Sequence, residues 1–140
     1  MNRAHIFIAI VMFTALGITL SAWAQPTAER TLLDRGYTPG ESLGVSIAVT
    51  GEAGEVTVTE TPPAGWTISD LMPSSGIVQN GVITWNTTLL ASRDRVLSYK
   101  VTPPSTQTGE AVFAGMVDGQ PIGGVTSVSP YEPEPLGVFE

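Results

Sequence analysis

Thirteen carboxylates make up most of the chemically useful side chains of this 140-residue chain, because there is no cysteine and the single histidine is His5. Ser-His-Asp and Cys-His catalysis both need an imidazole to take the nucleophile's proton. Zinc, copper and haem sites of the usual kinds need histidine or thiolate. Beyond residue 24 the chain holds neither, so those chemistries are closed to it. Carboxylate pairs remain, and a glycosidase holds two of them about 5–9.5 Å apart across a sugar cleft. No spacing singles out such a pair. Asp34, Glu41, Glu52, Asp94 and Asp118 stand beside turn residues, where carboxylates are ordinarily solvated. The expectation is a non-enzyme with no catalytic residue.

Calcium needs only oxygen ligands, and Asp34, Glu41 or Asp118 with turn carbonyls would supply them. No Asp-x-Asp-x-Asp-Gly loop is present, so the expectation is no cofactor, with Ca2+ the one cation that the residue types admit. Sugars are recognised by aromatic platforms, for which Tyr37, Trp66, Trp85, Tyr99 and Tyr131 are available. Trp85 and Tyr99 alternate with apolar residues and read as core. Trp66 follows Pro63-Ala64-Gly65, where burial is the first expectation and a place beside a loop the second; with Tyr131 it is carried forward as a candidate contact residue.

Residues 1–24 read as a secretory signal peptide: Arg3, an apolar run from Ile6 to Leu20, then Ala22-Trp23-Ala24, the small-x-small pattern at which such leaders are cut. The run is shorter than a spanning helix and contains Thr14, Gly17 and Thr19. The expected product begins at Gln25, is secreted to the periplasm or beyond, and has no stable membrane insertion. Its net charge moves from −7 to −8 once Arg3 leaves. Arg30, Arg35, Arg93, Arg95 and Lys100 are outnumbered by acids, which excludes a nucleic-acid partner and disfavours anionic membranes.

The elements that would position these residues are strands. Leu43, Val45, Ile47 and Val49 alternate with smaller or polar residues, as do Val56 and Val58 up to the stop at Pro62-Pro63, a half-buried β pattern. The two runs, joined by Gly51-Glu52-Ala53-Gly54, suggest an antiparallel pair. Further strands are expected around Trp66 and Ile68, at Gly76–Gln79, Val82–Trp85, Arg95–Val101, Glu110–Val117 and Ile122–Val128. Asn80-Gly81 and Asp118-Gly119 mark tight turns. Seven or eight short strands at this spacing imply one all-β antiparallel sandwich over 25–128, with a barrel as the lesser alternative.

Spaced positions then fall into a pattern: Tyr37-Thr38-Pro39-Gly40, Glu60, Pro63-Ala64-Gly65-Trp66, Gly81-x-Ile83-x-Trp85, Leu97-x-Tyr99-x-Val101-x-Pro103, and Gly109 before Phe113-x-Gly115. The series resembles the immunoglobulin-like repeat modules of bacterial and archaeal cell-surface proteins. That resemblance implies an immunoglobulin-like fold and an adhesive or spacer role, and carries no functional residues with it.

The segment 129–140 interleaves Pro130, Pro133 and Pro135 with Tyr131, Glu132 and Glu134 and ends in Leu136-Gly137-Val138-Phe139-Glu140. It reads as a polyproline-like tail, expected first to fray or to pack back on its own domain and, in the functional alternative, to dock on another subunit. Tyr131, Leu136, Val138 and Phe139 are its candidate contacts with a partner, by addition to a sheet edge. The expected function is a secreted, non-catalytic structural or adhesion-type interaction module at a bacterial surface. Its partner would be a protein or a surface polysaccharide. The alternative is a carbohydrate-binding module using exposed aromatics.

Overall fold

The computed structural model describes residues 24–137. The expected leader lies outside them except for Ala24, as do Val138 and Phe139. Twelve strands follow in order: β1 (Thr27–Leu32), β2 (Leu43–Thr50), β3 (Gly54–Thr61), β4 (Thr67–Met72), β5 (Ile77–Gln79), β6 (Val82–Leu89), β7 (Arg95–Thr102), β8 (Ala111–Val112), β9 (Ala114–Val117), β10 (Gln120–Pro121), β11 (Gly123–Gly124) and β12 (Ser127–Val128). Eight of them are three residues or longer, and the described residues contain no helix. The fold is all-β.

One sheet has the order β11-β1-β2-β7-β4, the other β10-β9-β3-β6-β5, and β12 pairs β8 separately. Leu43, Val45, Ile47 and Val49 of β2 meet Leu97, Tyr99 and Val101 of β7 on one inner face. Val56, Val58, Ile83, Trp85 and Val117 supply the other, and all belong to one buried cluster. The period-two pattern of β2 is the reason: inward residues are buried while Gly44, Ser46 and Ala48 between them are half-exposed.

Three expectations are corrected. The runs β2 and β3 do not pair: β2 lies between β1 and β7, and β3 between β6 and β9. Both strands have apolar inner faces, and the connection from Gly51, ending at Gly54 with φ 152°, carries the chain across the core so that the two faces cover one another. The sheets are also not wholly antiparallel, since β1 pairs β11 in parallel through Glu29↔Gly123 and Arg30↔Gly124. The expected strands at Glu110–Val117 and Ile122–Val128 are broken into two-residue and four-residue pieces. Phe113 leaves the ladder there, and its amide donates to the Thr126 carbonyl at 2.8 Å.

The two tight turns fold as expected. Gln79 faces Val82 across Asn80 (φ 51°) and Gly81 (φ 75°), and Val117 faces Gln120 across Asp118 (φ 44°) and Gly119 (φ 81°). Two successive positive φ values match the right-handed twist of a two-residue hairpin.

Candidate functional site

The contact residues expected from sequence separate into an interior group and an exposed group. Trp66 is 6% exposed. Its ring packs edge-on to Tyr37 at 5.0 Å and Phe113 at 6.1 Å, and its indole N–H donates to Gln107 Oε1 at 3.0 Å. The turn Pro63–Trp66, closed by the Trp66 amide on the Pro63 carbonyl, aims the side chain inward. Trp85 is 1% exposed and donates to the Pro73 carbonyl at 3.2 Å. Neither tryptophan forms a platform on the surface.

Tyr131, in contrast, is 55% exposed. Its amide donates to the Tyr37 carbonyl at 2.8 Å, and the Tyr37 amide to the Ser129 carbonyl at 3.1 Å, so Pro130 runs parallel to Tyr37 as a one-residue bridge. Gly36 permits the approach, because a Cβ there would lie 2.8 Å from the Tyr131 backbone. Tyr37 is itself pinned, its hydroxyl donating to the Gly109 carbonyl at 2.6 Å. The start of the tail is therefore tied to the sandwich beyond residue 128. Beside it opens a cleft of about 390 Å³ lined by Leu33, Asp34, Arg35, Glu41, Ser42 and Tyr131, among others. Leu136 projects at 94% exposure.

Of the acids considered for calcium, Asp34 and Glu41 share this cleft. Asp118 does not: its Oδ1 accepts the Thr57 amide at 2.8 Å in the β9–β10 turn. Among the described residues no three acidic side chains converge as a metal site would need.

No protein-family model matches this chain, and no curated protein matches it.

The site that residue types did not reveal is inside. Arg30 and Glu60 are both buried. Arg30 Nε donates to Glu60 Oε2 at 2.7 Å, a second guanidinium nitrogen donates to Glu60 Oε1, and Nη1 donates to the Val125 carbonyl at 2.8 Å. The Tyr99 hydroxyl donates to Oε2 at 3.2 Å, and the guanidinium lies 5.5 Å from the Phe113 ring centre. Burial pushes the Glu60 carboxyl above its ordinary 4.5, outweighing the lowering by Arg30, Tyr99 and the Thr61 backbone. Burial first, and then the Glu60 charge, raise the Tyr99 hydroxyl well beyond its ordinary 10.0. Every polar atom of the group is partnered, and no buried side-chain donor or acceptor among the described residues is left alone. A paired guanidinium and carboxylate sealed from solvent cannot meet a substrate; the pair ties β1 to β3 across the core. A signal for it existed. Glu60 occupies the inward register of Val56-x-Val58-x-Glu60, and Arg30 that of Ala28-x-Arg30.

Proposed function

We propose that this chain is a secreted, non-catalytic interaction module of immunoglobulin-like architecture that adheres to a protein partner at a bacterial surface. The burial of both Trp66 and Trp85 carries this choice over sugar recognition. A glycan platform spends its largest aromatic faces on the ligand, whereas here those faces fill the core. The strand order supports the immunoglobulin-like assignment. The run β1-β2-β7-β4 follows the first, second, later and intervening order of an A-B-E-D sheet, and β9-β3 matches its F-C neighbour. The β5–β6 hairpin is then an insertion between the D and E equivalents.

One observation favours a second reading. Tyr131 stands exposed on a cleft with Asp34, Glu41 and Ser42, an aromatic face beside hydroxyl-binding groups, so a small glycan epitope at the tail root is the competing ligand.

Binding of the labelled protein, Gln25 to Glu140, to intact bacterial cells separates the two. Surface adhesion to protein is lost when the cells are shaved with protease and survives periodate oxidation of their glycans. Loss on periodate that Tyr131→Ala reproduces would make the glycan reading correct, and no cell binding at all would sink both.

A further inference from the structure

The second sheet ends on an edge that is only partly covered. Strand β5 pairs with Val82, Ile83 and Thr84, while β6 continues to Leu89 and pairs with β3 along that whole length. From Trp85 to Leu89, then, β6 has a strand neighbour on one side only among the described residues. Gln79 and Val82 close the two-residue hairpin as a hydrogen-bonded pair, and ladder bonds alternate along a strand. Thr84, Asn86 and Thr88 therefore turn their backbone N–H and C=O toward the β5 side, and the last two extend past β5. A groove of about 560 Å³ lies along this stretch, lined by Asn86, Thr88, Leu90, Arg93, Asp94 and Arg95 among others. Neither Arg93 nor Arg95 belongs to an ion pair among the described residues. Pro73 and Ser75 form part of the groove's wall, and in a chain of net charge −7 two cations beside a strand edge without a strand partner call for an acidic, extended occupant.

We infer that the occupant is the tail of a second copy of this chain, residues Glu132–Gly137, added as an edge strand to β6 with Glu132 and Glu134 facing Arg93 and Arg95. Three observations favour it over other extended segments. Its charge is complementary. Its prolines fall at alternate positions, 133 and 135, so in an extended strand the amides of Glu132, Glu134 and Leu136 all point to one side. The missing donors then fall on the outer side, where an edge strand needs none. Lastly, the tail and the groove sit at opposite ends of the sandwich. The tail root shares its cleft with Leu43 and the groove contains Arg95, and these lie at the two ends of the β2–β7 ladder, which runs from Leu43↔Val101 to Val49↔Arg95. Such a contact is head-to-tail and propagates into chains of molecules rather than closing a symmetric pair. Exposed Leu136 would meet exposed Leu90, which covers two apolar side chains otherwise left in water.

This assignment rests on the interaction-module reading and names its partner. Sedimentation velocity of the protein from Gln25 to Glu140, which contains every described strand, tests it over a wide range of protein concentration. Mass is expected to rise with concentration and to fall back as salt screens the ion pairs. The groove variant Arg93→Glu/Arg95→Glu and the tail variant Glu132→Arg/Glu134→Arg are each expected to lose association alone. Mixed together they recover it, which a misfolded variant would not do. A single monomer mass at all concentrations overturns the proposal, as does association that survives both variants separately. A monomer that still adheres to cells through protein would overturn self-docking and leave the interaction-module reading standing.

Discussion

Trp85 shows what one side chain contributes here. It is buried between the sheets, tilted against Tyr99 with ring centres 6.2 Å apart, and its indole N–H is partnered. Trp85→Ala is expected to lower the unfolding free energy by about 3–5 kcal/mol, measured by urea denaturation. A loss below about 1 kcal/mol would contradict the packing. Arg30→Ala removes the cation from a buried, hydrogen-bonded carboxylate and is expected to cost about 3–5 kcal/mol on the same assay. The Glu60 carboxyl adds a pH dependence. Its folded pKa lies above the ordinary 4.5, so the folded chain holds that proton more tightly than the unfolded chain. Its contribution is fully present below the ordinary value and is lost as pH rises through the folded one. The stability advantage of wild type over Glu60→Gln should therefore shrink as pH is raised across that window, and an advantage that grows would refute the assignment. The core role of Trp85 and Tyr99 was legible from alternation alone. Arg30 and Glu60 were not read as interior, because charged types are so rarely buried that type outweighed register. Register carried the information.

At the scale of elements, glycine positions divide into turns and close approaches. Gly81 holds φ 75° in the β5–β6 hairpin with open space where a Cβ would stand, so Gly81→Ala strains only the backbone and is expected to cost about 1 kcal/mol. Gly124 also has positive φ, but a Cβ there would drive into the Arg30 backbone. Backbone cannot step aside as a flexible side chain does. Gly124→Ala combines strain with overpacking and should cost about 2–4 kcal/mol, and thermal unfolding of the two variants side by side checks the order. Long strands with clean alternation, such as β2, β3 and β7, were readable from their residues, and so were the Asn-Gly and Asp-Gly turns; β6 was read only as far as Trp85, because polar Asn86-Thr87-Thr88 hide its continuation to Leu89. Strand partners were not: the short connection after β2 suggested a hairpin, whereas the core is completed by sending β3 to the opposite sheet. The first strand escaped notice because Arg30 occupies one of its inward positions. The pieces β8 to β12 are too short for any period to show.

For the molecule as a whole, the absence of histidine and cysteine after residue 24 narrows the side-chain chemistry to carboxylates and hydroxyls. What the described residues offer is surface: a β6 edge that β5 pairs only in part and an extended acidic tail at opposite ends. If the tail acts as a connector, deleting residues 132–140, which keeps the Tyr131 amide on the Tyr37 carbonyl, leaves the folded body intact and abolishes self-association, so light scattering should report a monomer whose melting temperature is unchanged. A truncated protein of undiminished mass would sink the connector role. The parallel pairing of β1 with β11 also bears on how such a body answers force. A pull applied through the two ends of the chain drags β1 and β11 in opposite directions along their shared axis. The hydrogen bonds between them, together with the bond from Arg30 to the Val125 carbonyl, are then loaded together in shear instead of being peeled apart one by one. A sandwich fastened in this way is suited to resist a pull applied through its two ends, because β1 and β11 must slide past one another before either can leave.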